Sequence, residues 1–471
     1  MSNKSKVFVL LPDGIGLKNF AFSNFFKEGK EQGFETIYWN NTPFDLASLG
    51  FSSVDIQNSK SHRLTEIFKN ARKQIELNLF IKKTNDFVYD TYRFPFSYAT
   101  LKKCIKSILT HIVVQLHNND KGLERLRAKI KRAEKNTIYY RECIATLRTE
   151  KPALVFCTNQ RPMTAIAPIL AARVLGIPTA CFIFSWDNLP KATLLIETDY
   201  YFVWSEHMKK ELLYYYSYIK CNQVFITGTP QFENHYDFSL MKTRKMFYEE
   251  HSLDLNKKYI CYSGDDITTC PDDPKYLENV ATAVYNLNKQ GFALGLIFRR
   301  CPVDFSSRFD SVLKDFNDVI VSINPKWKKI GESWNAVLPT VEDTSLQTNT
   351  ILHSEMVVNL GSSMVFDYAA HQKPCAFINY DISKNEKSDW STKKIYNYIH
   401  FKSMPLNNSV LWLNSANEIE YKIKESLSNS AQVVENAQKW FEIVAGETPA
   451  KSSEKIWQAI DRILLKESIT A

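Results

Sequence analysis

The chain has 471 residues, more than one hydrophobic core usually supports, so two domains are expected. A composition that is 44% hydrophobic and 23% charged excludes an extensively disordered or fibrous protein. The balance of 59 Lys+Arg against 51 Asp+Glu leaves a net charge of +8, which suits an anionic substrate or a membrane surface and does not require nucleic acid.

Nine cysteines are scattered singly without a C-x-x-C pair, the usage of reduced, buried thiols in a cytosolic protein. The start, Met1 to Lys6, is polar and carries no signal-peptide pattern. The longest apolar stretch, Pro162 to Trp186, is broken by Pro168, Arg173, Gly176 and Pro178, and a membrane span needs about 20 uninterrupted apolar residues. It reads instead as a helix over 165–175 followed by a buried strand over 179–184.

In chain order, residues 6–11 (K-V-F-V-L-L) form a buried strand. The loop P-D-G-I-G-L-K-N follows, then a helix over 20–30 and a second strand over 34–39, which together make a βαβ unit. Runs at 153–157, 179–184, 200–204 and 224–227 continue a first doubly wound sheet. Residues 60–150 interrupt it with helical, basic sequence. Leu123, Leu126, Ile130, Ala133, Thr137, Tyr140, Ile144 and Leu147 recur at helical spacing, which predicts one long amphipathic helix over 121–151. That segment holds ten basic and four acidic residues. A solvated face accounts for such a charge run, and its functional reading is contact with an anionic membrane or acceptor. The polar segment from Gly228 to about Lys257 reads as the interdomain connection. Strands at 259–263, 293–298, 319–323, 356–360, 375–379 and 410–413, with a helix over 274–290, predict a second α/β set. The tail from Ala431 is helical, with Ser452 or Ser453 capping the last helix.

Val357 to Ile378 (V-V-N-L-G-S-S-M-V-F-D-Y-A-A-H-Q-K-P-C-A-F-I) is the most informative stretch. It reads as strand, small-residue turn, short helix and strand. Gly361, Ser362 and Ser363 sit at a helix start, where free N–H groups and the helix dipole favour an anion, although serines there are also plain caps. Asp367 lies one turn on, where a carboxylate can accept two vicinal ribose hydroxyls.

These elements, with Asp343 leading a helix and K-P-C-A-F-I-N-Y-D as the next strand, resemble the nucleotide-binding half of GT-B glycosyltransferases. F-S-W-D-N-L (Phe184 to Leu189), Y-F-V-W-S-E and F-I-T-G-T-P-Q-F resemble bacterial GT-B-like surface-polysaccharide proteins. The resemblance runs over most of residues 150–381. It implies an α/β GT-B fold of two Rossmann-like domains facing a cleft: 1–230 with a helical insertion near 60–150, then 231–430, then C-terminal helices over 431–471 packing back across the domains. It also implies a nucleotide-sugar donor held by Gly264, Gly361, Ser362, Ser363 and Asp367. Arg299 and Arg300 end a strand as Arg does in related sequences, but Cys301 stands where those carry His. The arginine fork still suits phosphate oxygens.

In the N-terminal half, Asp13, Gly14, Gly16 and Asn19 line the loop after the first strand, which in GT-B enzymes often meets the acceptor. Asp13 is one candidate base, needing only hydrogen-bond reach of the acceptor hydroxyl. Asp187 is the other, beside Trp186 and Asn188 at a strand end, where an indole face can stack on a sugar. Glu206 follows the next strand. Asp265, Asp266, Asp272 and Asp273 read as turn residues, and neither an essential metal nor another cofactor is expected. The expected function is sugar transfer from a nucleotide sugar to a saccharide or lipid-linked cell-envelope acceptor, in the cytoplasm or peripherally at the inner membrane face. The alternatives are a glycerol-phosphate type transferase, a non-hydrolysing nucleotide-sugar 2-epimerase and a catalytically silent nucleotide-sugar-binding partner.

Overall fold

The computed structural model describes residues 5–329, 337–382 and 390–470; the polar start up to Lys4 lies outside them. The chain divides into two compact units, residues 1–229 with 451–471, and residues 230–450. No helix among the described residues is long and apolar enough to cross a membrane.

The first unit is built on seven parallel strands: β1 (Lys6–Leu11), β2 (Glu35–Asn40), β3 (Ser53–Asp55), β4 (Leu154–Cys157), β5 (Thr179–Phe182), β6 (Tyr200–Val203) and β7 (Val224–Ile226). Their order is β3-β2-β1-β4-β5-β6-β7. Strands buried on both faces must be apolar throughout, which explains the unbroken V-F-V-L-L and L-V-F-C runs. Phe20, Phe25, Phe156 and Phe182 pack edge-on or stacked over one face. The last helix, Ser452–Thr470, joins this core. Its Trp457 ring stacks on Phe25 and Phe34 with centroids 4.8 and 5.0 Å apart, and its Nε1–H donates to the Phe25 carbonyl at 2.7 Å.

Four helices fill the segment between β3 and β4: Thr65–Thr84, Leu101–His117, Asp120–Lys135 and Ile138–Glu150. The single helix expected over 121–151 is therefore two. The first ends at Asn136, and the Thr137 hydroxyl caps the second by accepting from the Tyr140 N–H at 3.0 Å. Buried Leu126, Ile130, Ala133, Tyr139, Cys143 and Leu147 stay nearly in phase across so short a break, so periodicity alone does not reveal it. The helix expected over 20–30 is likewise divided, into Leu17–Phe20 and Phe25–Glu31.

Among the described residues the second unit holds six parallel strands: β8 (Lys258–Ser263), β9 (Leu294–Arg299), β10 (Ile320–Ser322), then, after a two-stranded antiparallel pair β11 (Lys328–Lys329) and β12 (Val337–Leu338), β13 (Val357–Asn359), β14 (Cys375–Ile378) and β15 (Leu411–Leu413). The order is β10-β9-β8-β13-β14-β15. Most of the segment expected to connect the domains belongs to this unit. Its helix Arg244–Glu250 buries Phe247 and Tyr248 in a core with Tyr259, Ile297 and Leu346. The helix Ala431–Ala445 packs Trp440 and Phe441 against Phe366, so the two C-terminal helices go to different units.

Candidate functional site

In an open parallel sheet, ligands bind outside the carboxyl ends of the strands, where the strand order reverses. The first sheet reverses between β1 and β4, and the second between β8 and β13. The loops leaving those four strands carry polar residues in both units.

At the first reversal, Asp13 follows β1. Its Oδ1 accepts from the Ile15 N–H at 3.2 Å, capping the turn Gly14–Gly16, and its Oδ2 accepts from Asn159 Nδ2 at 3.0 Å. Asn159 follows β4. Its Oδ1 accepts from both the backbone N–H and the Nε–H of Arg161, at 3.1 and 3.3 Å. The buried Gln160 bridges to the next loop: its Oε1 accepts from the Phe184 N–H at 2.9 Å, and its Nε2 donates to Asn188 Oδ1 at 2.8 Å. Asp187 accepts from Ser185 Oγ at 2.6 Å, from Asn188 Nδ2 at 2.8 Å and from the Lys191 ammonium. One polar network thus joins the ends of β1, β4 and β5.

Charge in this network is shared unequally. Burial raises the Asp13 carboxyl above its ordinary value, opposed by the Arg161 guanidinium and the Asn159 hydrogen bond. Burial lowers Arg161, opposed by Asp13 and Asp187. Two lysines of the helix Thr65–Thr84 join them electrostatically. Burial depresses Lys69, opposed by Glu66 and reinforced by Arg161 and Arg72. Lys73 is pushed down to about 8 by burial, then by Lys191 and Lys69. Depressed cations of this kind mark a place where an incoming anion relieves repulsion.

The other residues expected in this half fall into structural places. Gly16 lies so close to β4 that a Cβ would stand 2.6 Å from Thr158 Oγ1. Gly14 and Asn19 are buried, and Trp186 is nearly so. Glu206 is exposed in the first turn of the helix Glu206–Tyr215, whose cap is Ser205, outside the network.

At the second reversal, the Gly264 N–H donates to the Arg299 carbonyl at 2.9 Å, and the Asp265 N–H donates to Asp273 Oδ2 at 2.8 Å. Burial drives the Asp265 carboxyl well up, with Asp273 and Asp266 adding to it. Asp266 accepts from the N–H groups of Thr268 and Thr269 at 2.8 and 3.3 Å, a turn-capping role. After β13, the Asn359 side chain accepts from the Ser362 N–H at 2.9 Å, and Gly361 takes a φ of +65° that L side chains resist. Ser363 begins the helix Met364–Ala370 without a side-chain cap bond, and residues 361–363 are half-exposed.

Three donor expectations meet a different environment. Arg299 is buried, and its Nη2 donates to both Asp343 oxygens at 3.0 and 2.9 Å, while its Nη1 has no hydrogen-bond partner among the described residues. Arg300 donates to the Ser306 carbonyl and lies over the Phe309 ring at 5.2 Å. Asp367 is buried rather than presented at the helix start. Its Oδ1 accepts from His235 Nε2 at 2.8 Å, which leaves His235 Nδ1 to accept from His371 Nε2 at 3.1 Å. Burial, His235 and Lys373 push His371 down to about 4. A carboxylate so engaged is an anchor for the segment Pro230–Tyr236, not a free ribose contact.

No protein-family model matches the sequence, and no curated protein matches it significantly. Solved structures do match over nearly full length. A putative UDP-N-acetylglucosamine 2-epimerase from Listeria monocytogenes is similar at 11% identity and TM-score 0.55, over 98% of this chain and 98% of that one. S. aureus MnaA in a co-structure with UDP is similar at 14% and 0.52, over 98% and 97%. A glycosyltransferase from Rickettsia africae is similar at 10% and 0.52, over 98% and 99%. The fold is of the GT-B type.

Sequence reasoning passed over Asn159, Gln160, Arg161, Lys69, Lys73 and His235. The N-Q-R that closes the apolar run A-L-V-F-C-T is a readable signal, because polar residues directly after a buried strand stand at its carboxyl end. Nothing local marks Lys69, Lys73 or His235, whose neighbours are distant in sequence.

Proposed function

We propose that this GT-B-fold protein is a glycosyltransferase that moves a sugar from a nucleotide-sugar donor to a saccharide or lipid-linked acceptor of the cell envelope. The observation that carries the reading is that the loops at both strand-order reversals are polar. In the first unit they hold the half-buried Asp13 carboxylate beside Arg161, and the helix Thr65–Thr84 adds two depressed lysines. Acceptor and base belong to the first unit in this reading, and the donor to the second. Asp13 takes the acceptor hydroxyl's proton as that oxygen bonds to the anomeric carbon. The bond from the anomeric carbon to the phosphate oxygen breaks, and the nucleoside diphosphate leaves with the electron pair. Raising the Asp13 pKa improves it as a base near neutrality. Asp187, spent on three donors, is the weaker candidate. In the second unit the half-exposed Gly361–Ser363 turn is the group that receives the donor's diphosphate. Preorganised donors of this kind stabilise the departing diphosphate.

A second reading, non-hydrolysing epimerisation of a nucleotide sugar, is supported by the Listeria monocytogenes fold neighbour described as a putative UDP-N-acetylglucosamine 2-epimerase. The experiment that decides is incubation with UDP-, GDP-, CDP- and dTDP-sugars, with nucleotide release and sugar identity followed together. A transferase releases nucleoside diphosphate slowly without acceptor, and Asp13→Asn abolishes release while donor binding in calorimetry persists. An isomerised donor with no released nucleotide overturns transfer in favour of epimerisation, and binding without either product leaves only a silent binder.

A further inference from the structure

The helix Leu101–His117 is inside out. Its buried positions are Ser107, Thr110, Val114 and His117, three of them polar. Ser107 Oγ donates to the Ser97 carbonyl and accepts from the Ser97 N–H, and His117 meets Lys129. The apolar side chains point the other way. Leu101 is 78% exposed, Leu116 71%, Ile105 50% and Ile112 47%, with Ile108 and Leu109 also exposed. At 3.6 residues per turn these six fall within an arc of roughly 100°, opposite the buried face. A helix on a globular protein normally turns that stripe inward.

The charge on the helix itself has one sign. The helix contains Lys102, Lys103 and Lys106 and no Asp or Glu. Lys102 is exposed at the edge of the stripe, Lys103 is exposed in the first turn on the opposite side, and Lys106 pairs with Glu66. The segment leading into the helix adds Phe94, Phe96 and Tyr98, all exposed; Phe94 lies under the Lys73 ammonium and Phe96 against the His111 ring. An aliphatic ridge about 25 Å long, with Lys102 at its edge and aromatic rings before it, matches a helix lying in the headgroup plane of a bilayer. Contiguous exposed apolar surface on this scale marks an interaction site.

We propose that the helix Leu101–His117 docks the first unit onto a membrane containing anionic lipids, its aliphatic ridge entering the acyl boundary and its lysines meeting lipid phosphates. This places the membrane contact on the helix preceding the basic segment 121–151. Charge selects the bilayer over a second copy of the chain. A two-fold pair would bring the lysines of two copies together with no carboxylate of that helix to receive them, whereas anionic headgroups receive them directly.

The test is co-sedimentation of the full chain with vesicles of phosphatidylcholine alone and of phosphatidylcholine with phosphatidylglycerol, at low and high salt. The wild type is expected to bind the anionic vesicles at least about tenfold more tightly, with loss on adding salt. Ile105→Asp with Ile112→Asp should lower that binding at least about tenfold while the melting temperature holds, because both side chains are exposed. Lys102→Glu with Lys103→Glu, which spares the apolar ridge, should weaken anionic binding selectively. Wild type that stays in the supernatant with every vesicle overturns the proposal. So does a wild type that elutes as a dimer, becomes monomeric through the two isoleucine changes and ignores vesicles. The readout uses no donor or acceptor, so it is independent of the transfer reaction proposed above.

Discussion

Removing the Asp343 carboxylate decides whether Arg299 belongs to the scaffold or to a ligand. Both Asp343 oxygens receive Arg299 Nη2, and they also accept from the Lys326 N–H at 2.8 Å and from Trp327 Nε1 at 2.7 Å. Asp343→Ala therefore strands a buried guanidinium and two further donors at once. Breaking a buried pair in this way costs about 3–5 kcal/mol. For a unit the size of residues 230–450, that corresponds to a fall of about 6–20 °C in melting temperature. Arg299→Met is milder, because Asp343 keeps two donors and methionine fills the space of the arginine stem; about 1–3 kcal/mol is expected. The two changes interact, so adding Arg299→Met to Asp343→Ala should recover stability rather than subtract again. Scanning calorimetry on the three variants measures all of this. The reasoning fails if Arg299→Met costs as much as Asp343→Ala, or if the double variant shows the sum. A guanidinium kept mainly for a diphosphate would behave in the opposite way, with little thermal effect and a lost nucleotide affinity.

Two further outcomes follow from the first unit. Lys73 titrates near 8 when folded against 10.5 ordinarily, so the unfolded chain binds the extra proton between those values and stability should rise with pH across that window. Lys73→Met should raise the melting temperature at pH 7 and flatten that rise, as thermal unfolding at stepped pH will read out. Gly16→Ala forces a Cβ to within 2.6 Å of Thr158 Oγ1 on the first residue after β4. Overpacking of that kind costs about 1–3 kcal/mol, measured by denaturant midpoint.

The strands were legible because parallel sheets are covered on both faces, so K-V-F-V-L-L and C-A-F-I announce themselves without alternation. β3 was not, since S-V-D is too short to make an apolar run and is held by pairing with β2. Gly264 and the Gly361–Ser363 turn were legible as loops following strands, and the structure puts them at the reversal of the second sheet. What a side chain does was less legible than where it sits. Asp367 looked free because its partner, His235, is 132 residues away, and Arg299 looked available because Asp343 is 44 residues on. Lys69 meets Arg161, and Lys73 meets Lys191, only through the fold, in a helical segment whose sequence says little beyond helix and charge.

The return of Ser452–Thr470 to the first unit has a consequence for biosynthesis. A ribosome releases every residue of the second unit before the tryptophan that closes the core of the first. Until Trp457 emerges, Phe25 and Phe34 lack their stacking partner, so the nascent chain carries an unsealed aromatic surface while its later half is already able to fold. Here the part made first matures last.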